Sequence, residues 1–219
     1  MKHILFISLI VILLASCNDD SGSLPLPIQN NVTSNFYALT VGNTWEYKYY
    51  QRNSNGNFID TGVVDAVEIT NTVNLNNNIY YEFKTITSGN DNPSSNYNHS
   101  LNETGEKTEL LRDSLGYLIN EVGSIKYTHS DYNERLTDTE SFGTYHFMLV
   151  EDPVDVTTQA GSFYCLDAHT YVKDTNGNLL PSLDHTNYSD GFGLIFSTMS
   201  YVSYSEHFIE KRLNTYNIQ

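Results

Sequence analysis

The spacing of Asp167 and His169, separated only by Ala168, offers the best metal chemistry in this sequence. In a β-strand, residues two apart share a face, so this carboxylate and imidazole would lie side by side. With His185 or Asp184 arriving from the next strand or loop, they would supply three ligands of a hydrolytic zinc site. Nothing in the sequence fixes the third ligand, and the alternative is that Asp167 and His169 line a solvated strand face. We therefore predict no metal and no cofactor, and keep Asp167, His169 and His185 as the candidate ligands.

Other motifs for catalysis are missing from the sequence. It contains no Gly-x-Ser-x-Gly nucleophile elbow and no Walker loop, and Gly191-Phe192-Gly193 lacks the third glycine of a dinucleotide site. Asp174-Thr175-Asn176-Gly177-Asn178 begins like a calcium loop, but its glycine comes too early and no glutamate closes it, so we predict a hairpin turn. Cys165 lies in a strand-like run and is interpreted as a half-buried hydrophobe rather than a nucleophile.

The N-terminus has the layout of a signal peptide, with Lys2 and His3 before a run over residues 4–14 that is apolar apart from Ser8. An apolar run of this length would cover only about half of a ~30 Å hydrocarbon core, so it is too short to span a membrane. Leu14-Ala15-Ser16-Cys17 resembles the lipobox of bacterial lipoproteins, which implies cleavage before Cys17 and palmitate-type acylation of that cysteine. Several acyl chains together would hold the protein on a membrane. The alternative is an ordinary cleaved signal with an accidental cysteine.

The chain is predicted to have three parts. Residues 1–16 are a cleaved signal peptide, and residues 17–35 combine the lipidated Cys17 with a flexible tether, because their polar and proline-containing sequence has no periodicity. Residues 36–219 form a single β-rich domain. Acylation of Cys17 would leave Cys165 as the only thiol, so no intrachain disulfide is expected.

Strand patterns dominate the predicted domain. Aromatic and charged residues alternate in Trp45-Glu46-Tyr47-Lys48-Tyr49, which is typical of a half-buried strand. Asn55-Gly56 and Asn176-Gly177 favour type I′ turns, with positive φ at both central residues, and Gly105 and Gly116 indicate hairpins with longer loops. Further runs rich in β-branched and aromatic residues lie at 62–70, 79–87, 107–111, 117–121, 145–150, 163–173 and 194–204.

We therefore predict a mostly β fold, an antiparallel meander forming a curved sheet or open barrel, with few or no helices. Residues 132–140 have a pattern compatible with two helical turns. Residues 205–213 are compatible with either a helix or a strand, and we favour a strand there.

Three segments resemble secreted lipoproteins of unknown function from the Bacteroidetes, whose domains begin with Tyr-Pro-Leu-x-x-Gly-x-x-Trp-x-Tyr. The first is Tyr37-Ala38-Leu39-Thr40-Val41-Gly42-Asn43-Thr44-Trp45-Glu46-Tyr47, in which Ala38 replaces the usual proline. The others are Ala160-Gly161-Ser162-Phe163-Tyr164-Cys165 and Asp190-Gly191-Phe192-Gly193-Leu194-Ile195. The resemblance implies an envelope compartment and a β fold, and it assigns no activity.

The charge of the chain limits the classes of binding partner that we expect. A formal net charge of −15 argues against nucleic acid, whose phosphates require clustered Lys and Arg, and against docking on anionic lipid. The lipid on Cys17 would supply the membrane contact. Asn18-Asp19-Asp20 resembles the surface-export signal of Bacteroidetes lipoproteins, which implies an outer-membrane protein exposed on the surface, with a periplasm-facing protein as the alternative.

Tyrosine supplies 17 of the 28 aromatic residues, and its flat ring with a polar tip suits sugars and protein surfaces as well as simple packing. The leading prediction is a non-catalytic envelope protein that binds a glycan, peptide, lipid or partner protein. The alternatives are a metal-dependent hydrolase centred on Asp167 and His169, and a structural component of an envelope assembly. A tyrosine-lined cleft would favour binding, convergence of Asp167, His169 and His185 would favour catalysis, and a flat apolar patch would favour assembly.

Overall fold

The computed structural model describes residues 34–91 and 97–219, so the signal peptide, Cys17 and nearly all of the predicted tether lie outside it. The described residues contain only β-strands as regular elements, and they include no helix long and apolar enough to cross a membrane. The strands are β1 (Thr44–Arg52), β2 (Phe58–Leu75), β3 (Asn78–Ser88), β4 (Gly105–Ser114), β5 (Tyr117–Asn120), β6 (Ile125–Thr128), β7 (Arg135–Glu140), β8 (Gly143–Leu149), β9 (Val154–Thr158), β10 (Gly161–Asp174), β11 (Leu179–Ser189), β12 (Gly193–Met199) and β13 (Ile209–Asn217).

All thirteen strands belong to one open antiparallel sheet, which confirms the predicted fold class. Its order is β6-β5-β4-β3-β2-β1-β13-β12-β11-β10-β8-β7, with β9 paired to β10 beside this path. Hairpins join most neighbours in this order. The pairing of β1 with β13 is the long-range contact that unites the two halves of the sheet.

The main core includes Trp45 and Tyr47, and the face of the sheet that carries them is here called the inner face. The alternation predicted for β1 is present, since Trp45, Tyr47 and Tyr49 are buried between partly exposed neighbours. Tyr127 of the edge strand β6 donates a hydrogen bond of 2.9 Å to the carbonyl of Leu166 on β10. This contact brings one edge of the sheet close to its other half without closing the strand ladder.

Turns are present at both predicted Asn-Gly dipeptides, but the predicted type I′ conformation was wrong. Only Gly56 (φ 82°) and Gly177 (φ 84°) have positive φ there. Main-chain bonds between Asn53 and Asn57 enclose a loop of three residues, in which a glycine in the left-handed region follows a tight turn. The carboxylate of Asp174 accepts the N–H groups of Asn176 and Asn178, so the calcium-like segment is a hairpin turn as predicted.

Two-residue loops occur where the sequence did not indicate them. Asn76 and Asn77 join β2 to β3 with φ of 51° and 61°. Leu115 (φ 56°) and Gly116 (φ 90°) join β4 to β5, so the longer loop predicted at Gly116 was wrong. The hairpin predicted at Gly105 was also wrong, because β3 ends at Ser88 and β4 begins only at Gly105.

The element predictions failed mainly in the second half of the chain. Residues 132–140 form no helix, because residues 135–140 extend as β7 and pair with β8. The strand favoured at 205–213 begins only at Ile209, and the run predicted to reach residue 204 ends at Met199. β6, β7 and β9 were not predicted from the sequence, and β11 was implied by the turn predicted at Asn176-Gly177 but was given no bounds.

Replacing Leu115 with asparagine is expected to raise the free energy of unfolding by about 1 kcal/mol. The left-handed region costs leucine roughly 1–2 kcal/mol, whereas asparagine occupies it readily. Leu115 is 95% exposed, so little packing is lost. Urea unfolding measures the change. Leu136→Asn is the control, because Leu136 is 60% exposed but has no positive φ; equal stabilisation by both variants would contradict the strain argument.

Candidate functional site

An open cleft of about 240 Å³ lies on the inner face of the sheet. Residues of β1 to β5 and of β11 to β13 line its walls, so the cleft joins two groups of strands that are remote from each other in the sequence. Its lining includes four aromatic residues and two pairs of opposite charges: Trp45, Tyr47, Phe83 and Tyr188, and Asp65, Glu109, Lys107 and Lys211.

Internal hydrogen bonds fix the aromatic rings of β1 in the cleft. Trp45 donates from Nε1 to the carbonyl of Phe192 at 2.7 Å, and the Tyr47 hydroxyl donates to the carbonyl of Leu194 at 2.9 Å. The Trp45 ring also stacks on Phe83, with centroids 6.1 Å apart. The polar tips of Trp45 and Tyr47 are therefore used within the protein, and their rings form a rigid wall.

Tyr188 differs from these two residues. Among the described residues, none forms a hydrogen bond with the Tyr188 hydroxyl, although its ring packs at 4.2 Å from that of Tyr127. Burial raises the pKa of Tyr188 above its ordinary value, so the hydroxyl keeps its proton at neutral pH. Tyr188 therefore presents a donor and acceptor to a ligand in the cleft.

A buried ion pair lies at the base of the cleft. Asp65 is 1% exposed and accepts hydrogen bonds from Lys211 Nζ (2.8 Å), Tyr49 (2.6 Å) and Thr87 (2.7 Å). Burial raises the pKa of Asp65, but the Lys211 charge and these three hydrogen bonds outweigh it and hold the pKa below its usual range. Lys211 also lies 4.6 Å from the Tyr47 ring centroid. Within residues 34–91 and 97–219, Asp65 is the only acceptor of a hydrogen bond from this ammonium, which has two further N–H groups at the cleft wall.

The structure brings Asp167, His169 and His185 together. His169 and His185 are directly opposite each other on β10 and β11. Asp167 Oδ2 lies 3.1 Å from His169 Nε2 and 2.9 Å from His185 Nδ1, and Asn187 Nδ2 donates to Asp167 Oδ1 at 3.0 Å. Asp184, the other ligand considered from the sequence, instead accepts hydrogen bonds from Thr198 and Ser200.

This triad of Asp167, His169 and His185 is on the outer face of the sheet. Asn187 opposes Asp167, while the next residue, Tyr188, points to the inner face and the cleft. Asp167 is 6% exposed, whereas the histidine side chains are 24% and 35% exposed. Burial raises the pKa of Asp167, but hydrogen bonds from both histidines outweigh it and lower the pKa to about 2. The hydrogen bond between His185 and Asp167 also raises the pKa of His185.

These shifts predict a pH window for the contribution of Asp167 to stability. Its lowered pKa stabilises the fold above pH ~4 by about 1–2 kcal/mol, and this is lost as pH falls towards the folded pKa of about 2. The raised pKa of His185 adds stability that is present below pH ~6.5 and lost as pH rises through its folded pKa. With chelator present, the stability difference between wild type and Asp167→Asn should therefore be largest between pH ~4 and ~6.5. A difference independent of pH would contradict this.

Cys165 is fully buried rather than half-buried as predicted. Burial raises the pKa of its thiol to about 12, so the group is protonated at neutral pH. A protonated buried thiol is a poor nucleophile, which supports the interpretation of Cys165 as a packing residue.

The chain matches no family model and no curated protein. Its fold is similar to the crystal structure of a candidate lipoprotein from Parabacteroides distasonis, with a TM-score of 0.50 and 13% identity over 84% of this chain and 98% of that one. A candidate exported protein with a YmcC-like fold from Bacteroides fragilis gives a TM-score of 0.49 and 10% identity over 84% of this chain and 100% of that one. At this level of identity, the first similarity establishes a shared fold.

Proposed function

We propose that this protein is a non-catalytic lipoprotein of the bacterial outer membrane that binds a saccharide in its tyrosine-lined cleft. The observation that carries the proposal is the cleft itself, which combines rigid aromatic walls with hydrogen-bonding groups that are unused by the described part of the chain. Such a combination of apolar surface and a few convergent polar groups is characteristic of small-ligand sites.

The chemistry of the cleft favours a neutral, hydroxyl-rich ligand. Trp45, Tyr47 and Phe83 offer ring surfaces on which the C–H face of a sugar would pack. The Tyr188 hydroxyl and the remaining N–H groups of Lys211 would bind sugar hydroxyls. Because Asp65 neutralises Lys211, the base of the cleft carries no net charge to attract an anionic ligand.

The size of the cleft favours one sugar ring over a longer ligand. Its volume of about 240 Å³ lies below the ~300–1,000 Å³ of pockets that enclose drug-sized molecules. An acyl chain would also meet the charged side chains of Asp65 and Lys211 at the base. A single peptide side chain would fit by volume and is the occupant to be tested against sugars.

The membrane anchor is the second part of the proposal and rests on the sequence. The lipobox ending at Cys17 predicts lipidation, and Asp19 and Asp20 favour export to the cell surface over the periplasmic face. Mass spectrometry of the membrane fraction would identify acyl chains on Cys17, and Cys17→Ala should leave an unlipidated precursor. Protease treatment of intact cells would distinguish the two membrane faces, with a periplasmic protein as control.

Trp45 makes ligand binding directly measurable, because it is the only tryptophan of the chain and lies in the cleft. We expect its fluorescence to change saturably with one or more of glucose, galactose, mannose, N-acetylglucosamine and their disaccharides. Tripeptides and a medium-chain fatty acid are the comparison probes. A response only to peptides or fatty acid would overturn the choice of saccharide, and no response to any probe would overturn the binding function.

A hydrolase centred on Asp167 and His169 remains the second candidate. The convergence of these two residues with His185 is the observation that favours it.

A further inference from the structure

We infer that Asp167, His169 and His185 form a binding site for one divalent transition-metal ion, with zinc as the model ion, on the outer face of the sheet. The inference uses none of the side chains that line the inner cleft. It is therefore independent of the proposed saccharide binding.

The two distances from the histidine nitrogens to the Asp167 carboxylate match the spacing of ligands around one ion. All three lie within 4.8 Å of one another, and the two histidine nitrogens are 3.1 and 2.9 Å from the same carboxylate oxygen. Neighbouring ligands bound at ~2.0–2.1 Å lie about 2.8–3.0 Å apart in octahedral geometry and about 3.3–3.4 Å apart in tetrahedral geometry. An ion could therefore take the place of the protons in the two hydrogen bonds between Asp167 and the histidines, with small movements of the side chains.

The strands hold the ligands in place before any ion binds. Asp167 and His169 share one face of β10, and His185 is fixed opposite His169 by the pairing of β10 with β11. Asn187 donates to Asp167 Oδ1, which leaves Oδ2 directed at the histidines. A hydrogen bond of this kind to a ligating carboxylate typically increases metal affinity by ~10–100-fold.

The donor set indicates which class of ion would bind. Two imidazoles with one carboxylate suit zinc and other first-row transition metals, whereas calcium and magnesium prefer sites built from oxygen alone. Three protein ligands also leave at least one position open for water. The partly exposed rings of His169 and His185 give an ion access from solvent.

Zinc titration of the chelator-treated full-length protein in detergent tests the inference. We expect one zinc ion per chain by isothermal titration calorimetry and elemental analysis. His169→Ala and His185→Ala should each weaken binding by more than 100-fold, and Asn187→Ala by ~10–100-fold. His207→Ala is the matched control, because His207 also contacts a carboxylate, that of Glu210 at 2.9 Å, but lies outside the triad. The zinc affinity of the His207→Ala variant should equal that of wild type.

Unchanged zinc affinity in the His169 and His185 variants, or no binding by wild type, would overturn the inference. A second measurement needs no variant and so does not depend on variant folding. The chain has seven histidines, and zinc should shift the side-chain ¹⁵N resonances of only His169 and His185 in wild-type protein. Shifts confined to other histidines would equally refute the site. The saccharide-dependent change in Trp45 fluorescence should be the same with and without zinc. Zinc binding and saccharide binding can therefore fail separately, and each failure is visible in its own measurement.

Discussion

Replacing Asp65 with alanine is expected to lower the free energy of unfolding by about 3–5 kcal/mol, because it removes one partner of a buried ion pair. Lys211 is only 20% exposed, and its ammonium would lose its counter-charge. The hydroxyls of Tyr49 and Thr87 would also lose the acceptor that they now share. Each unsatisfied buried group adds a penalty of its own.

Asp60→Ala is the matched control on the same strand. Asp60 is 45% exposed, lies 4.0 Å from Lys48 and accepts an exposed hydrogen bond from the Gly62 N–H group at 2.8 Å, so its loss should cost about 1 kcal/mol or less. The double variant Asp65→Ala with Lys211→Met should recover part of the stability, since it removes the uncompensated charge. Urea unfolding gives all three values. Equal costs for Asp60→Ala and Asp65→Ala would refute the role of burial.

The second large effect is expected at Tyr127, where alanine should cost about 3–5 kcal/mol. Its side chain is fully buried, and its ring packs against Phe36, Phe147 and Tyr188. The hydroxyl joins β6 to β10 through the carbonyl of Leu166. The substitution would therefore create a cavity and also remove a contact between the two halves of the sheet.

Two variants separate these contributions. Tyr127→Phe keeps the ring and removes the hydrogen bond, so it should cost about 1 kcal/mol. Tyr164→Ala is the control for loss of a tyrosine on a strand, because Tyr164 is 64% exposed, and it should cost less than about 0.5 kcal/mol. If Tyr127→Ala cost no more than Tyr164→Ala, the described packing of the core would be wrong.

Local sequence patterns predicted the β fold and part of its strand order. Alternation in β1 identified Trp45, Tyr47 and Tyr49 as the buried set, and the Asn-Gly dipeptides located two hairpins. β7 was missed because its residues, Arg135–Glu140, are mostly exposed and polar and carry no apolar alternation. Its pairing with β8 determines the structure there.

The third member of the triad could not be chosen from the sequence because the choice depends on one register shift. A two-residue turn at Asn176-Gly177 would place Asp184 opposite His169. The observed three-residue loop pairs Lys173 with Leu179, and an irregularity between Tyr171 and Lys173 then places His185 opposite His169. Between these two pairs β10 has one residue and β11 has three, so the irregularity adds two residues to β11, and no feature of this sequence signals it.

The cleft was missed for a different reason. Asp65 and Lys211 are 146 positions apart, and they meet only because β1 lies between β2 and β13. Contacts between residues this far apart in the sequence are determined by the tertiary fold, so no local sequence pattern predicts them. An acid in the otherwise apolar stretch Gly62-Val63-Val64-Asp65-Ala66-Val67 was the one available signal of a buried, partnered carboxylate.

The most direct test of saccharide binding is the dissociation constant, measured by Trp45 fluorescence, of the tightest saccharide for wild type, Tyr188→Phe and Tyr164→Phe. Tyr188→Phe keeps the ring but removes the hydroxyl that no described residue binds, so we expect about tenfold weaker binding. Tyr164→Phe removes an exposed hydroxyl outside the cleft and should leave the constant unchanged. Equal constants for all three proteins would contradict the assignment of the cleft as the binding site.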